Sequence, residues 1–242
     1  MDMEKMEWRT PEQDPQAWKL LDPLGTVLTV AGIAALGATI PDRSRIIGVA
    51  CCAVLAAVGL AVYLRFPQYY TLMDKKEYTK SGFKARVKHL DLAVFGPCFG
   101  LGIQLRHFCI TGWVWLVVLS LLVAAAVFGL LWVCSREVRE HGHVQAVAVL
   151  IALFLGVGVV VNGNHYLNLN PEPPQTYTVM ETTKSGSRKG GRQYACMVEL
   201  EPGVQKKIPV SFNQYGALQP GDTVQVFHGP GAFGVEYAYF VE

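Results

Sequence analysis

The sequence predicts a membrane α-helical protein, with four transmembrane helices followed by a small all-β C-terminal domain, an antiparallel sheet or barrel of about five strands. Three observations predict it. Four uncharged apolar stretches each reach the roughly 17–25 residues that a helix needs to cross the hydrocarbon core. Charge is scarce, at 17% of residues against 51% hydrophobic, where an ordinary soluble domain carries about 25% charged residues. The composition then changes at Asn162, after which short alternating runs are separated by Gly and Pro turn signals.

Residues 1–23 form a polar N-terminal segment carrying Asp2, Glu4, Glu7, Glu12, Asp14 and Asp22. They lack the basic opening and short apolar core of a signal peptide, so the first apolar stretch is expected to stay as a membrane helix. The transmembrane domain is placed at 24–161, with spans at 24–40, 46–64, 110–133 and 144–161. Trp113, Trp115 and Trp132 lie near the ends of the third span, where an apolar ring and a polar N–H are both accommodated at the membrane interface. Ala34 and Ala38 in the first span, and Ala53, Ala57 and Ala61 in the second, recur at four-residue spacing. Such ridges let helix backbones approach closely in lipid; packing within the chain is expected, with a homo-oligomer face as the alternative.

Residues 92–103 are apolar but short, and Gly96-Pro97 interrupts them, which predicts an interfacial or re-entrant segment. Extension to Phe108 is the alternative: a fifth crossing with Arg106 and His107 at a membrane boundary. Ahead of it lies a basic loop whose Lys75, Lys76, Lys80, Lys84, Arg86 and Lys88 are candidates for contact with anionic lipid headgroups, each such residue contributing roughly 1 kcal/mol near the surface. With four crossings, residues 1–23, 65–109 and 162–242 share one side and hold 3, 8 and 6 Lys+Arg, while the other side holds Arg43, Arg45, Arg136 and Arg139. Because basic residues near spans stay cytoplasmic, both termini are predicted inside the cell membrane. If 92–108 crosses, the C-terminal domain moves outside.

Residues 162–174 read as a Pro- and Asn-rich linker, and 175–242 as the β domain, with alternating runs at 176–182, 193–200, 207–212, 223–228 and 235–241. Of the six cysteines only Cys196 lies in this domain, so it holds no internal disulfide, which fits a reducing compartment. The net charge of +2 and the absence of a clustered basic surface exclude a nucleic-acid partner.

The stretch YYTLMDKKEY at 69–78, the Phe95-Gly96-Pro97 break, GDTVQV at 221–226 and GAFG at 231–234 together resemble a group of uncharacterised bacterial multi-span membrane proteins. In that group a short β domain follows the last span, and the β domain here is also similar to NfeD-type barrels. The resemblance implies a layout; it brings no activity and no catalytic residues.

Motif chemistry is sparse. Residues 229–234 match G-x-G-x-x-G, but a dinucleotide site needs a strand before and a helix after; here a strand follows, so a β-turn is expected. No G-K-[ST] phosphate loop occurs, and no cofactor is implied. Cys51-Cys52 is read as packing. The segment KSGSRKGGR at 184–192 is read as a hairpin tip. His141 and His143, in a tight loop after Glu137 and Glu140, are the candidate metal ligands, although a catalytic zinc site needs three protein ligands in fixed geometry and a solvated hairpin is the default. No Asp, Glu, Lys, Arg or His lies within the four predicted spans, which weakens a coupled transporter or an intramembrane enzyme, since both place such groups at depth. The expected function is a membrane-anchored binding or regulatory module whose β domain takes a protein partner or a small ligand. A transport or channel component built on 92–103, and a metal-dependent enzyme using the His141 loop, are the alternatives.

Overall fold

The computed structural model describes residues 13–40, 45–72, 88–186 and 192–241. In chain order the helices are α1 (Pro15–Ala38), α2 (Arg45–Arg65), α3 (Asp91–Gly102), α4 (Trp113–Cys134), α5 (Arg136–Glu140), α6 (Gly142–Tyr166) and α7 (Phe212–Ala217). Four of them, α1, α2, α4 and α6, are long and apolar enough to cross a membrane. The strands are β1 (Tyr70–Thr71), β2 (Lys88–His89), β3 (Cys109–Ile110), β4 (Gln175–Thr178), β5 (Glu181–Ser185), β6 (Gln193–Glu201), β7 (Val204–Val210), β8 (Thr223–Pro230) and β9 (Glu236–Phe240). The chain forms two compact units, residues 1–103 with 120–158, and residues 104–119 with 159–242.

In the helical unit, α1 starts well before residue 24. Asp14 caps it, its Oδ1 accepting from the Ala17 N–H at 3.2 Å, and Pro15 occupies the first turn, where a missing N–H costs nothing. The polar residues Lys19 and Asp22 thereby join the helix. α3 packs against both α1 and α2. Small residues set the closeness of that contact: a Cβ on Gly32 would lie 3.2 Å from the Pro97 ring, and one on Gly59 would lie 3.1 Å from Val94 Cγ2. The stripe that packs on α2 is Gly48, Cys52, Ala56 and Gly59. Ala53, Ala57 and Ala61, expected on the packing side, face outward instead. Both stripes satisfy four-residue spacing, so periodicity alone does not choose between them.

Contacts within this unit fix the direction of each helix. The Tyr70 hydroxyl donates to Leu21 O at 2.5 Å, and the Leu90 N–H donates to Thr71 O at 2.9 Å, which gathers the first part of α1, β1 and the start of α3. The Tyr63 hydroxyl donates to Glu137 at 2.8 Å, which brings the end of α2 and the α4–α5 junction together. At the far end, a Cβ on Gly100 would meet Leu36 and Cys52, and one on Gly102 would meet Phe154. α3 therefore runs parallel to α1 and away from Glu137, and so does α6. This departs from the side assignment made on charge with four crossings, which set residues 65–109 apart from Arg136 and Arg139. Thr71 and Leu72 both donate to Glu137, so the two loops share one end of the helices.

The β unit is built on two sheets of order β3-β9-β8-β4 and β5-β6-β7. Residues 175–185 form one bent strand whose first half pairs with β8 and whose second half pairs with β6. Val179 makes the corner by exchanging backbone hydrogen bonds with Asp222 and Gly221, both 2.8 Å, and Met180 passes to Met197 O at 2.8 Å. The β6–β7 hairpin turns at Gly203, whose φ of +79° suits a residue without a Cβ. Alternate residues point inward, and Val179, Cys196, Val198, Ile208, Val224, Val226 and Ala238 form the core. Among the described residues the sheets do not close into a hydrogen-bonded barrel. Two further differences from the sequence expectation stand out. α6 continues to Tyr166, into the stretch expected as linker, and the short strand β3, which precedes the third span, pairs with β9 through Cys109–Ala238 and Ile110–Tyr237.

Candidate functional site

The most polar buried cluster of the helical unit surrounds Glu137. α5 is a five-residue helix capped by Ser135, whose Oγ accepts from the Val138 N–H at 3.3 Å. The cap turns Glu137 and Val138 inward and leaves Glu140 exposed. Glu137 is only 4% exposed. Its Oε2 accepts from the Tyr63 hydroxyl at 2.8 Å and from the Leu72 N–H at 3.3 Å, and its Oε1 accepts from the Thr71 hydroxyl. Tyr63 Oη also lies 2.6 Å from Ser135 Oγ. Since the tyrosine proton goes to the carboxylate, the serine donates to Tyr63.

Among the described residues the hydrogen bonds to this carboxylate come from neutral donors. Burial pushes the Glu137 pKa above the ordinary carboxylate range; the Thr71, Tyr63 and Leu72 donors and the nearby His141 act the other way. Tyr69 and Tyr70 complete the surroundings. The Tyr69 hydroxyl donates to the capping residue Asp14 at 2.6 Å, and the Tyr69 ring meets Trp18 edge-on at 5.9 Å. Tyr70 is fully buried, and its phenol is pushed up to about 12 by burial, with Asp22 adding to the shift.

The candidate metal ligands His141 and His143 have nearly parallel rings. The His141 and His143 rings lie 5.8 Å apart. Glu137 is committed inward, and Glu140 pairs with Arg136 at 2.5 Å. Among the described residues no group of three or more His, Cys, Asp or Glu side chains is placed to hold a metal ion. Of the headgroup candidates, Lys75, Lys76, Lys80, Lys84 and Arg86 lie outside the described residues, and Lys88 contributes its backbone to β2, with Thr71 paired to His89 beside it.

α3, the basis of the channel alternative, is apolar and tightly enclosed. Phe95, Phe99 and Phe154 pack with ring centroids 5.0–6.0 Å apart. A Cβ on Gly158 would overlap Leu101 Cβ. These are contacts of a packed interior, with backbone against backbone.

In the β unit, the G-x-G-x-x-G match is a turn between β8 and β9, as its flanking strand signals indicate. Asn164, near the end of α6, holds it. The Asn164 amide donates to Val235 O at 2.9 Å, and its Oδ1 accepts from the N–H groups of Phe233 at 2.9 Å and Val235 at 3.3 Å. Beside it, Phe108, His165, Phe227, Tyr237 and Tyr239 form an aromatic cluster with His165 Nδ1 at 3.2 Å from the Tyr237 hydroxyl. Sequence reasoning missed both Glu137 and Asn164. The one available signal was that each is polar and sits at the margin of an apolar run. Comparison with protein-family models, with curated proteins and with solved structures gives no match for this chain.

Proposed function

We propose that this chain is a multi-pass protein of the bacterial plasma membrane that acts as a binding or regulatory module: its helices anchor a compact β unit, and that unit takes a protein partner or a small ligand. The observation that carries the reading is the division into two units, a helical one with the apolar α3 packed between helices, and a β unit with a separate hydrophobic core. The close packing of α3 favours this reading over transport, because irregular backbone at membrane depth in a channel would line a cavity. Headgroup contact by Lys75, Lys76, Lys80, Lys84, Arg86 and Lys88 belongs to the same proposal, as does the layout shared with the bacterial multi-span group.

The directions of the helices bear on sidedness. At 1.5 Å per residue α3 advances about 18 Å, and the 3-10 helix Ile103–His107 that follows adds about 10 Å, together close to the ~30 Å hydrocarbon core. We therefore favour a fifth, broken crossing by residues 91–107. The loops holding Arg65, Lys75–Lys88, Arg136 and Arg139 then lie on the cytoplasmic side with the N-terminus. Arg43, Arg45 and Arg106 lie on the other side, and the chain after Tyr166 emerges there too. In this arrangement Arg136 and Arg139 join the cytoplasmic side, while Arg106 and the six Lys and Arg of residues 162–242 leave it; those six belong to a long C-terminal domain, whose charge bears little on orientation.

Introduced cysteines test it. Cys196 is fully buried, and burial pushes its thiol up to about 11, so it is a poor reporter. Gln205→Cys on exposed β7 should gain labelling by a membrane-impermeant maleimide in intact cells, relative to the unmodified chain, and Glu140→Cys only after lysis. The reverse pattern would place the β unit in the cytoplasm. For the binding reading, crosslinking from the Gln205 position should capture one discrete partner or ligand; failure of both capture and ligand screening would count against it.

A further inference from the structure

We propose that Glu137 is a proton-responsive latch: its carboxyl clasps Thr71 and Leu72 to the α4–α5 junction, firmly when neutral and less firmly when charged. The geometry sets up both states. Charged, the carboxylate accepts from Tyr63, Thr71 and the Leu72 N–H, yet it sits almost wholly out of water and has no cation hydrogen-bonded to it among the described residues. Neutral, its O–H can donate to Tyr63 Oη, and the tyrosine then donates to Ser135 Oγ, 2.6 Å away, so the chain of hydroxyls reverses with no atom displaced. A carboxyl used only as a structural acceptor would gain nothing from that reversible partner.

Several charged and titratable groups surround Glu137, with His143 stacked on His141 at 5.8 Å. On its own helix, Arg136 is held by Glu140, and Arg139 donates to the carbonyls of Trp132 and Val133 at 3.0 and 2.8 Å. From α2 comes Tyr63. From β1 come Thr71 and Tyr70. His89 on β2 is the register partner of Thr71. His141, just past α5, is the nearby group that favours the charged form, and it is the smallest of the named influences. The clasped residues, Thr71 and Leu72, follow α2 in the chain.

The sign of the effect follows from burial. The clasped state has a raised carboxyl pKa, whereas a released, solvated glutamate titrates near 4.3. The clasp is therefore fully present below about pH 4.3, and it weakens as pH rises from there to the raised value, by at most about tenfold in the opening equilibrium per pH unit. Above the raised value the opening equilibrium is flat again.

Hydrogen exchange of the segment 66–72, in the full-length protein reconstituted in nanodiscs, reads this directly through the Leu72 amide. After correction for intrinsic exchange, protection in the unmodified protein should fall as pH is raised above about 4.3, while Glu137→Gln stays level. Tyr63→Phe keeps the carboxyl but removes a donor that favours its charge, so its transition should move to higher pH; this variant serves if Glu137→Gln does not fold. A neutral-carboxyl infrared band that persists above the pH at which a solvated glutamate ionises, and disappears in Glu137→Gln, should accompany the change. Parallel pH profiles for the unmodified protein and Glu137→Gln, or protection that rises with pH, would overturn the latch. None of these outcomes depends on what the β unit binds.

Discussion

At the scale of single residues, the α4–α6 connection shows how little separates a solvated acid from a buried one. Glu137 and Glu140 are three positions apart on one short helix, yet one is buried and the other pairs with Arg136 in solvent. The Ser135 cap decides it by fixing where the helix starts, and hence which side chains turn inward. Nothing in the local sequence distinguishes the two acids, since the partners of Glu137 come from Tyr63 and Thr71, more than sixty residues away. The fully buried Thr71 contact and the part-buried hydrogen bond from Tyr69 to Asp14 should differ in cost. Thr71→Val removes a fully buried donor and should destabilise the protein by about 1–3 kcal/mol. Tyr69→Phe, whose Asp14 partner can turn to water, should cost under about 1 kcal/mol. Thermal unfolding in one detergent checks the order; equal losses would mean that the Glu137 cluster contributes no more than a surface contact.

At the scale of elements, α3 depends on how closely its neighbours approach. Gly158 against Leu101 is the tightest such contact, and Gly37, also on a helix long and apolar enough to cross a membrane, has nothing within 4 Å of the position of its Cβ. Gly158→Ala should therefore cost about 1–3 kcal/mol through overpacking. Gly37→Ala should be neutral or stabilise slightly, because alanine loses less backbone entropy than glycine in a helix. Comparing the two unfolding midpoints separates packing from helix propensity, and a Gly158→Ala variant as stable as Gly37→Ala would show that α3 is loosely seated. The sequence marked residues 92–103 as too short to cross alone and broken at Gly96-Pro97. What it left open was the continuation into the 3-10 helix Ile103–His107, because that turn gains its place from packing rather than from hydrophobic periodicity.

At the scale of the whole molecule, the β unit draws on chain that lies far upstream in sequence. β3 supplies an edge partner for β9, and Asn164 satisfies three backbone groups of the β8–β9 turn. A fragment of residues 175–242 lacks both, and at that size a core is marginal without added support. It should unfold well below a fragment that carries 159–242, or show no cooperative transition, by near-ultraviolet circular dichroism on heating. A fragment 175–242 with an unchanged midpoint would show that Asn164 and the end of α6 add nothing to the fold.

The sequence by itself determined the four long apolar helices, the change of composition at Asn162 and the alternating strands, because each is a local pattern: a run of apolar residues, a period of two, a Gly-Pro turn. It also identified the turn at residues 229–234 for what it is. Only the tertiary structure decided which alanine stripe of α2 faces the protein, that α3 and α6 run the same way, that residues 175–185 bend to serve two sheets, and that Glu137 is a buried acid. Each of those is settled by partners distant in sequence. Helical and strand periodicity name a face without saying what covers it, and the burial of a polar group is fixed by the donors that meet it there.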